Sequence, residues 1–177
     1  MRIRLLLLAT MPVCSLCAQG LGSPRLGWMP DASGALRPLE GIAGAVTLGE
    51  RAATDVLRAA SSENWVLAQT AREILALPRL GAALARFPAP DGGAQFAFDR
   101  EGEPAAVCFP SAKRLLLWKD GRFEYAAWKP PGGVLALAAT GPGALSFLVL
   151  REASVWRVDV SPAGEVSLPL PGVGPPA

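Results

Sequence analysis

The sequence predicts an all-β chain built from repeated four-stranded antiparallel sheets. Two observations lead to this fold class. Alternating apolar segments recur with a stride of about 41 residues, and the 19 glycines and 17 prolines are spread along the 177 residues instead of being gathered in one linker. Such frequent breakers disfavour long helices and suit short strands joined by turns.

The first 18 residues are typical of a secretory signal peptide. Arg2 and Arg4 supply a basic start, and residues 5–13 supply an apolar run that is too short to span a bilayer. Cleavage after Ala18 is the best position. We therefore expect the mature chain to be secreted or periplasmic, with an uncleaved anchor or a lipid anchor as the alternative.

Removal of this signal leaves a chain of balanced charge. The 17 basic residues lose Arg2 and Arg4, which leaves 15 against 15 acidic residues. A neutral chain gives no support to nucleic acid or an anionic membrane surface as a partner, because both attract clustered Lys and Arg. Cys108 is then the single cysteine, and its apolar neighbours predict a buried side chain instead of a reactive thiol.

The region 19–53 predicts a hairpin and a connector. Segments 26–29 and 35–38 flank the turn sequence Asp31-Ala32-Ser33-Gly34, and a Gly-rich stretch follows at 41–49. We expect this region to provide two strands of an incomplete sheet.

Three repeats then occupy residues 54–94, 95–133 and 134–170, before a Pro/Gly tail at 171–177. Val66, Val107 and Leu148, which mark the second strand of each repeat, are 41 residues apart. Turn sequences such as Lys119-Asp120-Gly121-Arg122 separate the later strands. The predicted strands are 54–57, 65–68, 72–77 and 84–87, then 95–98, 106–109, 113–118 and 123–126, then 134–137, 147–150, 153–158 and 165–168.

A helical interpretation competes over residues 51–77, where apolar residues also recur at intervals of three and four. Strands are favoured because these positions are in register with segments 113–118 and 154–158. Those later segments combine Val and Trp with adjacent turn signals, which is typical of strands.

Four strands per roughly 41 residues resembles the blade of β-propellers, in particular WD40-type and related secreted bacterial repeat proteins. The Gly-His and Trp-Asp signatures of WD40 repeats are absent, so the resemblance implies an architecture and no functional residue. It implies a partial, β-propeller-like array of about three and a half blades, fewer than a ring normally needs. A truncated propeller, a ring completed by another copy and an open array with protected edges are the alternatives, and open blade edges favour self-association.

The sequence predicts no catalytic, metal or cofactor site. Without histidine, Ser-His-Asp and Cys-His mechanisms are excluded within this chain. The acidic segment 99–103 lacks the alternating carboxylates of a calcium loop, and we interpret it as a solvated turn. The Gly-rich stretches lack the Gly-Lys-Ser/Thr ending of a phosphate loop.

The predicted function is a non-catalytic extracytoplasmic interaction or scaffold module for a protein or glycan ligand, whose binding residues are unknown. We expect most of the tryptophans to pack between blades. They are Trp28, Trp65, Trp118, Trp128 and Trp156. The segment 128–131 is the candidate for ligand contact. The alternative function is a propeller-type hydrolase or lyase that uses Asp55, Asp91 or Asp99 at a central channel.

Overall fold

The computed structural model describes residues 25–79 and 85–171. The predicted signal peptide at 1–18 and the tail from residue 172 onward lie outside the described residues. Within them the chain is all-β, with four antiparallel sheets of three or four strands and no helix. The helical interpretation of 51–77 is therefore wrong.

The strands follow one another in chain order within every sheet. The first sheet contains β1 (Arg25–Pro30), β2 (Leu36–Ile42) and β3 (Ala45–Leu48); the second contains β4 (Val56–Ser61), β5 (Trp65–Thr70), β6 (Glu73–Pro78) and β7 (Ala85–Pro88); the third contains β8 (Gln95–Phe98), β9 (Pro104–Phe109), β10 (Arg114–Lys119) and β11 (Arg122–Tyr125); the fourth contains β12 (Val134–Gly141), β13 (Ala144–Arg151), β14 (Ser154–Ser161) and β15 (Gly164–Pro169).

The first sheet corrects the predicted hairpin and connector. Both hairpin strands are present, but the connector prediction for 41–49 is wrong, because Ala45–Leu48 forms a third strand. Gly44 has φ 90° in the two-residue turn between Ile42 and Ala45, so glycine makes a tight hairpin there instead of a flexible link.

The numbering also identifies which strands the first sheet contains. β1 begins 40 residues before β5, and β3 begins 40 residues before β7. The first sheet therefore has the second, third and fourth strands of the repeat. The connector that leads to the second sheet is held against the first sheet by an isolated β-bridge between Leu36 and Ala53.

The opening strand of the second sheet starts later than predicted. Asp55 has φ 57°, which is left-handed backbone, and the strand begins at Val56. The predicted strand at 84–87 corresponds to Ala85–Pro88 in the described residues.

Successive sheets pack face to face, and each pair shares one hydrophobic cluster. Neighbouring strand positions point to opposite faces, so Val66 joins the cluster with the first sheet while Leu67 joins the cluster with the third. No cluster of the described residues combines the first and fourth sheets. The arrangement is blade-like, with one joint between each sheet and the next. Representative buried residues are Leu36 and Leu75 in the first joint, Ile74 and Leu116 in the second, and Cys108 and Phe147 in the third.

Polar contacts also tie the second sheet to the third. The Gln69 side chain, 3% exposed, donates from Nε2 to the Gly92 carbonyl at 2.6 Å and accepts from the Ala94 N–H at 2.7 Å. At the opposite end of the strands, Asn64 Nδ2 donates to the Glu101 carbonyl at 3.0 Å. The connector between these sheets is thus bonded to the sheet it leaves, which holds the joint in a defined register.

Candidate interaction surface

The three candidate carboxylates do not converge on one site. Asp55 and Asp91 precede the first strands of the second and third sheets, whereas Asp99 follows the first strand of the third sheet, at the opposite end. They line three separate open cavities of about 750, 540 and 530 Å³ respectively. No arrangement of these carboxylates supplies an acid and a base to one substrate.

Asp99 is bonded within its own turn. Its Oδ1 atom accepts the backbone N–H groups of Glu101 and Glu103, both at 2.9 Å. This geometry agrees with the predicted turn. Among the residues that the structure describes, no group of three or more His, Cys, Asp or Glu side chains is placed to hold a metal ion.

The segment 128–131 is largely used for packing. The Trp128 ring lies 5.0 Å from the Phe147 ring, and its Nε1 atom donates to Glu165 Oε2 at 3.0 Å. Pro130 is buried and Lys129 is exposed. Trp128 therefore belongs to the joint between the third and fourth sheets, and its ring is not a free platform for a sugar.

Other tryptophans lie in the joints as well. Trp65 and Trp118, from the second and third sheets, meet edge to face with ring centroids 5.4 Å apart. Trp28 packs against the cluster between the first and second sheets. Trp156 lies beside Arg151, whose guanidinium is 5.6 Å from the ring centroid. Trp28, Trp65 and Trp118 therefore pack between sheets, whereas the contact of Trp156 lies within the fourth sheet.

Cys108 is fully buried between the third and fourth sheets, as its sequence context predicts. Burial raises the pKa of the thiol to about 12, because the apolar surroundings disfavour the thiolate. The thiolate is the reactive form, so Cys108 acts as a small apolar side chain here.

The fourth sheet carries an exposed apolar face, which we call the trailing face because it points away from the preceding sheet. Leu148, Arg157 and Leu168 lie opposite one another across β13, β14 and β15, and Ser146, Asp159 and Val166 form the next row. Leu150 and its partner Val155 form the third row, but Val155 is 3% exposed, so the open part of the face consists of the first two rows. The strand alternation turns Phe147 and Val149 the other way, into the core. The side chains of Val166 and Leu168 are 56% and 51% exposed.

The first sheet has a corresponding exposed face, which we call the leading face because it points away from the second sheet. Leu39 pairs with Leu48, Gly41 pairs with Val46, and Met29 pairs with Arg37, which places all of them on the face opposite the buried Leu36. Met29, Val46 and Leu48 are between 41% and 48% exposed. Apolar surface of this kind, when contiguous, marks an interaction site more often than scattered exposed residues do.

Each exposed face contains one arginine, and a carboxylate of the same sheet neutralises it. On the trailing face Arg157 Nε lies 2.9 Å from Asp159 Oδ1. The hydrogen bond from Arg157, supported by one from Ser146, lowers the pKa of Asp159 below its ordinary value. The pair therefore stays ionised at neutral pH without help from another molecule.

On the leading face Arg37 Nε lies 2.7 Å from Asp31 Oδ2, and another nitrogen of the same guanidinium donates to the Gly49 carbonyl at 3.0 Å. The Ser33 hydroxyl, Arg37 and the Ala35 N–H donate to the Asp31 carboxylate, and together these hydrogen bonds hold the pKa of Asp31 well below its usual range. The charge of Arg37 is thus balanced locally.

Neither face is predicted by the sequence pattern. The alternation Val166-Ser167-Leu168 signals one apolar side of a strand, but it does not tell whether another sheet covers that side. The 40-residue spacing from β1 to β5 was a signal for a further blade-like sheet, and it was obscured by the glycines at positions 41, 44 and 49.

Comparison of the chain with models of protein families and with curated proteins found no match. No helix in the described residues has the length and apolar character needed to cross a membrane.

Proposed function

We propose that the chain is a non-catalytic interaction or scaffold module of β-propeller-like architecture that works outside the cytoplasm, in the periplasm or as a secreted protein. Its sheets supply a rigid frame, and its outermost sheet faces supply the contact surface for a protein. The compartment in this proposal rests on the basic and apolar pattern of residues 1–18.

The observation that carries the proposal is the trailing face. Val166 and Leu168 are more than half exposed, although they project from the same sheet that buries Phe147 and Val149 completely. Exposed apolar side chains on a well-packed strand lose contact with water when a partner covers them, which favours association by roughly 25 cal/mol per Å² of apolar area. The only charges in the middle of this face, Arg157 and Asp159, satisfy each other.

A glycan ligand has less support than a protein ligand. Sugar platforms present an open aromatic face, whereas Trp65, Trp118 and Trp128 contact other aromatic rings in the joints between sheets. The trailing face offers aliphatic side chains, which match an apolar protein surface better than a hydroxyl-rich sugar.

A photocrosslinking experiment tests the proposal. The photoreactive residue benzoylphenylalanine replaces Leu168 in the full chain, and a control chain carries it at Leu57, which lies on β4 and is 64% exposed. Each chain is irradiated with the envelope and secreted proteins of the producing organism. We expect an adduct of defined mass at position 168 that unlabelled chain competes away and that Leu148→Glu, on the same face, removes. Equal labelling at positions 168 and 57, or no adduct at 168, contradicts the proposal.

A further inference from the structure

We infer that the partner of the trailing face is the leading face of a second copy of this chain, so that copies associate head to tail. This inference rests on the proposed function and names its partner. The sequence predicts self-association through open strand edges. In the structure, the exposed apolar surface lies instead on the faces of the terminal sheets.

The chain packs its own sheets against one another in one recurring way. In all three internal joints, the face of one sheet that points toward the C-terminal end of the array covers the opposite face of the next sheet. In the second joint, for example, Leu67 and Ile74 of the second sheet meet Val107 and Leu116 of the third. The trailing face of the fourth sheet and the leading face of the first are the two halves of one more such joint. A second copy supplies the missing half with the same strand order and chemistry.

The charged side chains of both faces are already paired within the chain. Burying an unpaired charge in an apolar interface is strongly unfavourable, but a charge that already has its partner adds a much smaller cost. Arg157 is paired with Asp159, and Arg37 is paired with Asp31, each within its own sheet. Contact between the trailing face and the leading face therefore joins apolar side chains without leaving an unpaired charge in the interface.

A head-to-tail contact uses two different surfaces, so it generates a ring when the rotation between copies closes and a linear chain when it does not. The described residues of two copies form eight sheets, which lies within the usual range of about four to eight blades for closed propellers. We therefore expect a dimer in which both copies use both faces.

Sedimentation analysis of three single variants tests the inference. Leu168→Glu places a carboxylate on the trailing face, Val46→Glu places one on the leading face, and Leu57→Glu is the control outside both faces. We expect the wild type and Leu57→Glu to form dimers, and either face variant to weaken dimer formation about tenfold or more, because each places an unpaired charge at an apolar contact. Circular dichroism and the denaturation midpoint of each variant verify that the fold is retained.

Mixing the two face variants distinguishes this arrangement from any other self-association. The Leu168→Glu chain keeps an intact leading face, and the Val46→Glu chain keeps an intact trailing face. One intact joint therefore forms in the mixture, and we expect mixed dimers at a concentration at which each variant alone is mostly monomeric. If Val46→Glu alone dimerises as well as the wild type, or if the mixture remains monomeric, the inference is overturned.

The outcome for the wild type separates this inference from the proposed function. A purified chain that stays monomeric at the highest concentration that remains in solution overturns the head-to-tail joint. In that case a competed adduct of a different protein at position 168 still supports an interaction module, whereas the absence of any adduct removes both.

Discussion

The middle and the ends of the array use the same strands in different surroundings. The second and third sheets bury apolar side chains on both faces, so that Val66 and Leu67, adjacent on β5, are each almost completely buried on opposite sides. The fourth sheet is less completely covered, because Val149 is buried on its inner face whereas on its outer face Val155 is buried but Val166 and Leu168 remain exposed. The difference teaches that burial here is decided by the neighbouring sheet and not by the residue type.

This comparison has an energetic consequence. In repeat architectures the stability is approximately a sum of terms for each repeat and for each joint between neighbours. A middle sheet has two joints and a terminal sheet has one. A substitution at a joint should therefore lower the free energy of unfolding more than the same substitution on an outer face.

The largest effect is expected for matched leucines. Leu67→Ala removes a side chain that is 0% exposed between the second and third sheets, and we expect a loss of about 2–5 kcal/mol in the free energy of unfolding. Leu168→Ala acts on the trailing face and should cost less than about 1 kcal/mol in the monomer. Urea denaturation followed by tryptophan fluorescence measures both, at a protein concentration low enough to keep the chains monomeric. Equal losses in the two variants would show that a leucine in a joint contributes no more to stability than a leucine on the outer face.

A somewhat smaller effect is expected for matched glutamines. Gln69→Ala leaves the Gly92 carbonyl and the Ala94 N–H without their partner in the joint between the second and third sheets, and we expect a loss of about 2–3 kcal/mol. Gln95→Ala removes one bond, from Nε2 to the Val134 carbonyl at 3.1 Å, in the joint between the third and fourth sheets. That loss should be about 1 kcal/mol.

The same urea titrations measure the two glutamine variants, with unchanged m values showing that unfolding exposes a similar surface. Gln69→Glu is the matched variant that keeps an acceptor for the Ala94 N–H and loses the donor to Gly92. Because Gln69→Glu buries a carboxylate against the Gly92 carbonyl, its loss should be at least as large as that of Gln69→Ala. A Gln95→Ala chain that is less stable than the Gln69→Ala chain would show that the end joint is the stronger one.

Much of the fold is predictable from the sequence, because strand alternation and turn chemistry are local properties. The stride from Val66 to Val107 locates the second strands of the second and third sheets, and Asp120-Gly121 locates the turn between β10 and β11. The antiparallel order within each sheet then follows from the short connections between strands.

Other features depend on contacts that no local pattern contains. Ala45–Leu48 has few residues to signal a strand, and it forms one because it pairs with β2. Gln69 is a polar residue in an apolar strand, and its burial depends on the connector 89–94 returning to it. The exposed faces could not be predicted for the same reason. The apolar alternation around Val166 is the same whether or not another sheet covers that side of the strand.

The smallest effect concerns two equivalent turns, one at the end of the array and one in the middle. The turn between β1 and β2 is closed by the ionised Asp31, which accepts the backbone N–H groups of Ser33 and Ala35 at 2.8 and 3.0 Å. The turn between β5 and β6 is closed by the hydroxyl of Thr70, which accepts the Glu73 N–H at 3.0 Å. Only the first of these acceptors titrates in acid.

We therefore expect acid to weaken the terminal turn and to spare the middle one. Because the pKa of Asp31 is lowered in the folded chain, the unfolded chain binds the proton more readily, and the stabilisation is complete above the ordinary aspartate pKa of about 3.9. It is lost progressively as the pH falls from there toward the folded pKa. Denaturation midpoints of the wild type, Asp31→Asn and Thr70→Ala, compared between about pH 7 and about pH 3, measure this. The deficit of Asp31→Asn should shrink in acid while that of Thr70→Ala stays constant, and parallel behaviour of the two variants would show that the Asp31 charge does not close the terminal turn.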